Sequence, residues 1–303
     1  MKIYILGNGL IGATLADQLS VAGHEVTVIS RTASGQKGSI RYLSHELKDI
    51  AGDASLLSGA DLLVHAMSSS SPASSMNNIW QDAYDQILLN IQLFETLSSL
   101  QSKKIVFISS GGAVYGHPLN EKVDENHPTD PVSAYGVGKL SAEKYLQLFG
   151  YQRGLDYLIL RPSNVYGFIE SIRKPQGVIS YLLNSALNDK PFQLWGSLDN
   201  HKDYLYVEDL ADAIRQVIKK PGQLGGRCYN ISYGVLSSLG QIIHIIESIT
   251  GKTIHLNQGE EARFDVSNIE VDSSLFKKDF NWQPNTGIEE GISLIFQKHL
   301  QRL

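Results

Sequence analysis

The sequence predicts a doubly wound α/β fold with a smaller C-terminal lobe, and three observations carry that prediction. Short apolar runs alternate with amphipathic stretches through the first half of the chain. A glycine-rich turn joins the first apolar run to the first helix, and 303 residues exceed what one small core needs. Residues 2–6 (KIYIL) are apolar and stop at Gly7, after which Ile11, Leu15 and Leu19 recur at helical spacing over 11–22. EVTVI at 25–29 is β-branched and strand-like. DLLVHA at 61–66 and KIVFIS at 104–109 are two more apolar runs, and DYLIL at 156–160 is closed by Arg161-Pro162. Between the two middle runs, Ile79, Leu88, Ile91, Phe94 and Leu97 mark one long helix over 78–101. Strands alternating with helices in this way predict a parallel sheet covered on both faces.

After Pro162 the rhythm breaks. Residues 163–203 carry Gly, Pro and Asn punctuation around one helix at 178–187. A strand and helix return at 203–219, and two helices and a strand follow from 236. The expected organisation is a first domain over 1–168, rejoined by 204–235, with 169–303 forming mainly the second lobe. No internal repeat is present. The one low-complexity stretch, SSSSPASS at 68–75, follows a strand of the sheet. It reads either as a flexible loop or as a loop at the carboxyl edge of the sheet, where such folds bind ligands.

Composition removes several function classes. Lys and Arg total 26 against 31 Asp and Glu, a formal charge of −5 with no basic tract, so nucleic acid is not an expected partner. Cys228 is the only cysteine, and the nine histidines show no H-x-x-H or H-E-x-x-H spacing, so no metal site is expected. No apolar run approaches the roughly 18 residues that cross a bilayer. The first residues do not read as a signal peptide, so the expectation is a cytoplasmic, non-membrane protein.

Gly7-Asn8-Gly9-Leu10-Ile11-Gly12 lies between the first strand and the first helix, the context that G-x-G-x-x-G requires. Gly7 permits the tight turn, Gly9 lets a pyrophosphate approach the backbone, and Gly12 lets the helix pack on the strand. The helix N-terminus, at Leu10 and Ile11, then faces phosphates. The pattern therefore predicts a dinucleotide-binding turn. At the end of the second strand a site for NAD usually offers an acid to the ribose, whereas the chain reads Ser30-Arg31-Thr32. That trio supplies hydroxyls and a guanidinium fork suited to a 2′-phosphate, so NADP is favoured over NAD; otherwise Arg31 is a solvated loop charge.

Tyr135-Gly136-Val137-Gly138-Lys139 opens a helix after Pro131 and Ser133, and its i, i+4 spacing puts phenol and ammonium on one face. A lysine beside a phenol favours the phenolate, which makes Tyr135 a candidate acid/base.

Further blocks extend the pattern: Ile108-Ser109-Ser110-Gly111-Gly112-Ala113-Val114-Tyr115-Gly116, Leu160-Arg161-Pro162-Ser163-Asn164-Val165-Tyr166-Gly167, Asp203-Tyr204-Leu205-Tyr206-Val207-Glu208-Asp209-Leu210 and Asn281-Trp282-Gln283-Pro284-Asn285-Thr286. Over nearly its whole length the chain resembles the extended short-chain dehydrogenase/reductases, in particular the nucleotide-sugar epimerase and dehydratase branch, and most closely the UDP-glucose 4-epimerase type. The resemblance implies a nucleotide-sugar 4-epimerase that works through a 4-ketosugar. Tyr135 would be its acid/base and Lys139 the electrostatic partner and nicotinamide-ribose ligand. Ser110 would be the serine on the reacting sugar oxygen. Asn164 and Arg263 would hold the nucleotide diphosphate, Lys202 would stand at a phosphate-binding position, and Asn90 matches an active-site asparagine or else is a helix-face polar residue. The family also dimerises through helices corresponding to 78–101 and 134–150, so a homodimer is expected.

Four positions depart from the family pattern. Leu6 replaces a first glycine. The usual Ser/Thr position falls on Gly111, so either Ser110 serves by a one-residue shift, the favoured reading, or the role is vacant. Lys202 replaces an arginine, and Ser30-Arg31 replaces the acid. The last departure keeps a second reading open, an NADPH-dependent nucleotide 4-ketosugar reductase. Gly111 keeps open a third, a non-catalytic NADP-binding sensor or scaffold.

Overall fold

The computed structural model describes residues 1–32, 34–100, 104–118, 122–167, 177–220, 222, 224–259, 266 and 268–301. The expected domain boundary at 168 and the expected phosphate ligand Arg263 lie outside the described residues.

The chain begins β1 (Lys2–Leu6), α1 (Leu10–Val21), β2 (Glu25–Ser30), β3 (Gly35–Lys37), β4 (Ile40–Ser44) and α2 (Leu47–Gly52). β5 (Leu62–His65), α3 (Pro72–Ser75) and α4 (Ile79–Ala83) follow, then a π-helical turn (Tyr84–Leu88) that leads into α5 (Leu89–Ser98). Next come β6 (Lys104–Ile108), α6 (Gly111–Val114), β7 (Lys122–Val123), α7 (Ala134–Arg153), β8 (Asp156–Pro162) and β9 (Asn164–Tyr166). α8 (Val178–Asn188), β10 (Phe192–Leu194), β11 (His201–Tyr206), α9 (Val207–Lys219) and β12 (Arg227–Ile231) lead to β13 (Leu236–Ser238) and α10 (Leu239–Thr250). The chain closes with β14 (Leu256–Gln258), β15 (Glu270–Val271), α11 (Ser274–Phe280) and α12 (Ile288–Leu300).

Eight strands form the main sheet in the order β12-β8-β6-β5-β1-β2-β4-β3, parallel except for the β3–β4 edge. Order reverses on either side of β1, the switch point at which doubly wound sheets bind ligands. The strand pleat sends Ile3 and Ile5 to one face and Leu6 to the other. On the first face Leu15, Leu19, Leu210 and Ile214 from α1 and α9 cover the sheet; on the second, Leu93, Phe94 and Leu146 from α5 and α7 do so. Each fully buried Leu or Ile there contributes about 2 kcal/mol relative to exposure.

A second body centres on Leu182, Tyr204, Ile242 and Ile292, from α8, β11, α10 and α12. Strand β11 pairs with β9 and β13 in a separate three-stranded sheet, whereas the residues after it return to the large body: α9 packs on α1 and β12 pairs with β8. The two bodies are tied where the Asp209 carboxylate, in the first turn of α9, accepts from the backbone N–H of Asn285 at 3.1 Å and Thr286 at 2.9 Å. Two of the sequence blocks therefore meet at one side chain.

The expected helix over 78–101 is broken into α4, the π turn and α5. The Gln86 carbonyl in that turn accepts from the Asn90 side-chain amide at 2.8 Å, which satisfies a group that the widened turn would otherwise leave open. Strands β4 and β12 are two sheet members the apolar pattern did not mark. β4 lies next to the sheet edge with only Ile40 fully buried, and its apolar residues Ile40, Tyr42 and Leu43 are broken by Arg41, so no continuous apolar run marks it.

Candidate active site

The glycine turn has the geometry its spacing implies. Gly7 has φ +107°, and a Cβ on Gly12 would stand 1.9 Å from the Gly7 carbonyl oxygen, so α1 approaches the turn as only glycine permits. Gly9 caps α1 without a side-chain hydrogen bond, and no atom lies within 4 Å of where its Cβ would be. The N-terminus of a 12-residue helix thus opens onto free space. The hydroxyl of Ser30, buried at the end of β2, has no hydrogen-bond partner among the described residues. An open helix end and an orphaned hydroxyl at the second strand end both fit a dinucleotide. Gly7, Gly9, Leu10, Ile11, Ser30, Arg31 and Thr32 all line one cavity of about 2450 Å³, and Arg31 and Thr32 are exposed at its rim.

Tyr135 lines the same cavity. Ser133 caps α7 by accepting from Gly136 N–H at 3.2 Å, and the Tyr135 N–H donates to Ser75 Oγ at 3.1 Å, which fixes the helix start against the serine-rich segment. Gly138 lets α7 close on the π turn: a Cβ there would lie 2.7 Å from Gln86 Cβ. Ser110, two residues beyond β6 and at the N-cap of α6, lies near enough to the Tyr135 phenol to favour its ionised form. Gly111, in the family's usual register, instead opens α6. Asn164 faces this turn, since a Cβ on Gly112 would lie 3.3 Å from Asn164 Oδ1, and its Nδ2 donates to the Asp203 carbonyl at 3.0 Å. Lys202 precedes Asp203 on β11 and is half-buried.

Lys139 is buried, and its Nζ donates to the Ile108 carbonyl at 3.1 Å while lying 5.8 Å from the Tyr135 ring centre. Burial pushes the lysine down to about 8, against the opposing charges of Glu143 and Asp82. The expectation that Lys139 draws the phenol toward neutrality is corrected here. Burial pushes Tyr135 up to about 12, Asp82 adds to the rise, and only Ser110 opposes it. At neutral pH the protein's own residues hold Tyr135 as the protonated phenol.

Asn90 also lines the cavity, but both ends of its amide are engaged inside the protein. Nδ2 serves Gln86, and Oδ1 lies 2.8 Å from Nε2 of His65. His65 was not singled out by the sequence. It ends β5, and the Met67 N–H donates to its Nδ1 at 3.3 Å, so the two contacts fix the neutral Nε2–H tautomer. Burial, with Lys139 nearby, pushes it down to about 3. Its sequence signal was position alone, a polar residue closing the apolar run of a central strand.

Glu143 was missed as well, although it continues the Tyr135, Lys139 face by one more turn. It accepts from the Ser109 hydroxyl and from Arg161, whose Nη1 in turn donates to Tyr115 OH at 2.9 Å. Among the described residues, no group of three or more His, Cys, Asp or Glu side chains could hold a metal ion, and no helix is long and apolar enough to cross a membrane.

The sequence pattern of the NAD dependent epimerase/dehydratase family matches residues 3–232. A putative UDP-glucose 4-epimerase of Methanocaldococcus jannaschii is 28% identical over 294 residues, 95% of each chain. A dTDP-4-dehydro-6-deoxyglucose reductase of Escherichia coli is also 28% identical, over 78% of this chain and 73% of its own. The crystal structure of Thermus thermophilus UDP-glucose 4-epimerase in complex with NAD superimposes with a TM-score of 0.90 at 25% identity, covering all of both chains.

Proposed function

The chain belongs to the NAD dependent epimerase/dehydratase family, and from that premise we propose that it is a nucleotide-sugar 4-epimerase acting through a 4-ketosugar. The observation that carries this reading is Tyr135 lining one cavity with the glycine turn, with Lys139 one helical turn further along α7. A nicotinamide cofactor held by Gly7–Gly12, Ser30 and Lys139 would supply a reversible hydride acceptor and, when oxidised, a positive charge beside a phenol that burial otherwise keeps protonated. With that charge beside it Tyr135 would act as the phenolate, taking the proton of the sugar C4 hydroxyl as the carbonyl forms and giving it back when the carbonyl is reduced from the other face. Ser110 orients that oxygen. Asn164, Lys202 and Arg263 are assigned to the diphosphate, whose binding energy keeps the sugar in place while it turns. A UDP-sugar is the first substrate to try, since the Methanocaldococcus jannaschii relative carries that name.

Arg31, with no acid at the end of β2, favours a second reading: an NADPH-dependent 4-ketosugar reductase with the same Tyr135, Lys139 and Ser110. The test is to denature the purified protein and identify the nicotinamide nucleotide it releases, alongside an assay for UDP-glucose and UDP-galactose interconversion. Near-stoichiometric NAD with interconversion is the expected result. An empty site that takes up NADPH in preference to NADH, with no interconversion, would replace the epimerase reading by the reductase. The same proposal includes a homodimer through α4, α5 and α7, supported by the exposed apolar side chains Trp80, Leu88, Tyr145 and Leu148. Sedimentation analysis checks it, a monomer being the contrary outcome.

A further inference from the structure

Behind the serine-lined part of the cavity stands a carboxylate that the chemistry above does not use. Asp82, in α4, is 4% exposed. Its Oδ1 accepts the Ser70 hydroxyl, and its buried Oδ2 has no hydrogen-bond partner among the described residues. It lies against the catalytic helix: a Cβ on Gly138 would be 3.7 Å from Oδ2. Its charge reaches both Tyr135 and Lys139.

The hydrogen bonds in front of it run in one direction. Ser70 gives its single proton to Asp82. Ser68 gives its own to the Ser70 carbonyl at 2.9 Å. Gln86 Nε2 then donates to Ser68 Oγ at 2.8 Å and to Ser70 Oγ at 3.4 Å. Ser68 and Ser70 both line the cavity with Tyr135, and neither has a proton left to donate. These two hydroxyls are left to accept hydrogen bonds, and the buried Asp82 carboxylate stands behind them. Asp85, half-buried, is a second carboxylate on the same cavity lining.

A sugar hydroxyl or hydroxymethyl group can donate to such a wall. A hexuronate carboxylate has nothing to donate and meets like charge. We propose that Asp82, acting through Ser70, makes the sugar subsite select neutral hexoses and reject hexuronates. Asp82 is thus a positioning residue, and the proposal rests on the nucleotide-sugar reading above.

The experiment is calorimetric titration at pH 7 of UDP, UDP-glucose and UDP-glucuronate into the wild-type protein and Asp82→Asn, which keeps the acceptor for Ser70 but removes the charge. The wild type should bind UDP-glucose about tenfold or more tightly than UDP-glucuronate, the scale of one poorly screened like-charge contact. Asp82→Asn should bring the ratio close to one by gaining the uronate, with UDP and UDP-glucose affinities held within about threefold. A fold-wide defect would move all three ligands together. A wild type that prefers the uronate, or a ratio unchanged in Asp82→Asn, overturns the proposal. Should that variant fail to fold, Ser70→Ala decides: it should weaken UDP-glucose and leave UDP-glucuronate unchanged, and an unaltered ratio there also overturns it. Binding of UDP without either preference defeats this inference alone, whereas failure of all three ligands to bind defeats the nucleotide-sugar reading and this inference with it.

Discussion

Glu143 receives Arg161 through both of its carboxylate oxygens, 2.6 Å from Nη2 and 3.0 Å from Nε, with Glu143 fully shielded from water and Arg161 nearly so. The pair joins α7 to the end of β8, and the Ser109 hydroxyl adds the end of β6. Burial of two charges is tolerable only because each is met by the other and by hydrogen bonds. Glu143→Gln leaves Arg161 buried without a counter-charge. It should destabilise the fold by about 3 kcal/mol or more, read as a drop in thermal unfolding temperature.

Tyr135→Phe keeps the ring and removes only the proton-carrying oxygen. Turnover should fall by about 10²-fold or more while UDP binding stays unchanged. Retained activity in this variant, measured beside a binding titration, would remove Tyr135 from the acid/base role.

Gly12→Ala sets a methyl group 1.9 Å from the Gly7 carbonyl oxygen, backbone that cannot swing aside. The turn should open and nicotinamide-nucleotide affinity should fall by about tenfold or more, since close packing of helix on strand places the phosphate site. Fluorescence titration with NADH or NADPH measures it.

His65 titrates near 3 in the folded protein and near 6.5 when unfolded. Between those values the unfolded chain binds a proton that the native protein refuses, so the contribution of His65 to stability is complete above about 6.5 and is lost as pH falls toward 3. The limiting slope for one group is about 1.4 kcal/mol per pH unit. His65→Gln should therefore flatten the fall in unfolding free energy on acidification from pH 6.5 to 4, as followed by urea titration across that range. An unchanged slope would place the acid sensitivity elsewhere.

Much of this architecture was legible in the residues. Residues 2–6, 25–29, 104–109 and 156–160 are strands because central parallel strands are buried on both faces and so write continuous apolar runs. Tyr135 and Lys139 share a helical face because four residues nearly complete a turn. The glycine spacing located the cofactor end of the cavity. What stayed hidden depended on partners far along the chain. Glu143 reads as a solvated helix charge until Arg161 and Ser109 are brought to it, and Asp82 reads as one until α7 covers it. Strand β4, next to the sheet edge, carries too little apolar signal. The i, i+4 spacing shows the pairing of Tyr135 with Lys139 but not the burial of the phenol, which dominates in the fold.

The π turn between α4 and α5 has a consequence for phase. In a straight α-helix, residues four apart drift about 40° round the axis at each step, so Asp82 and Asn90 would diverge by about 80°. The wider turn at Tyr84–Leu88 takes that drift back, and Asp82, Gln86 and Asn90 are all buried in a single file. One residue more in the chain acts here as a gear tooth. Deleting Ile87 alone would rotate everything upstream of it, carrying Asp82 out of line with Ser70 while leaving Asn90 beside His65.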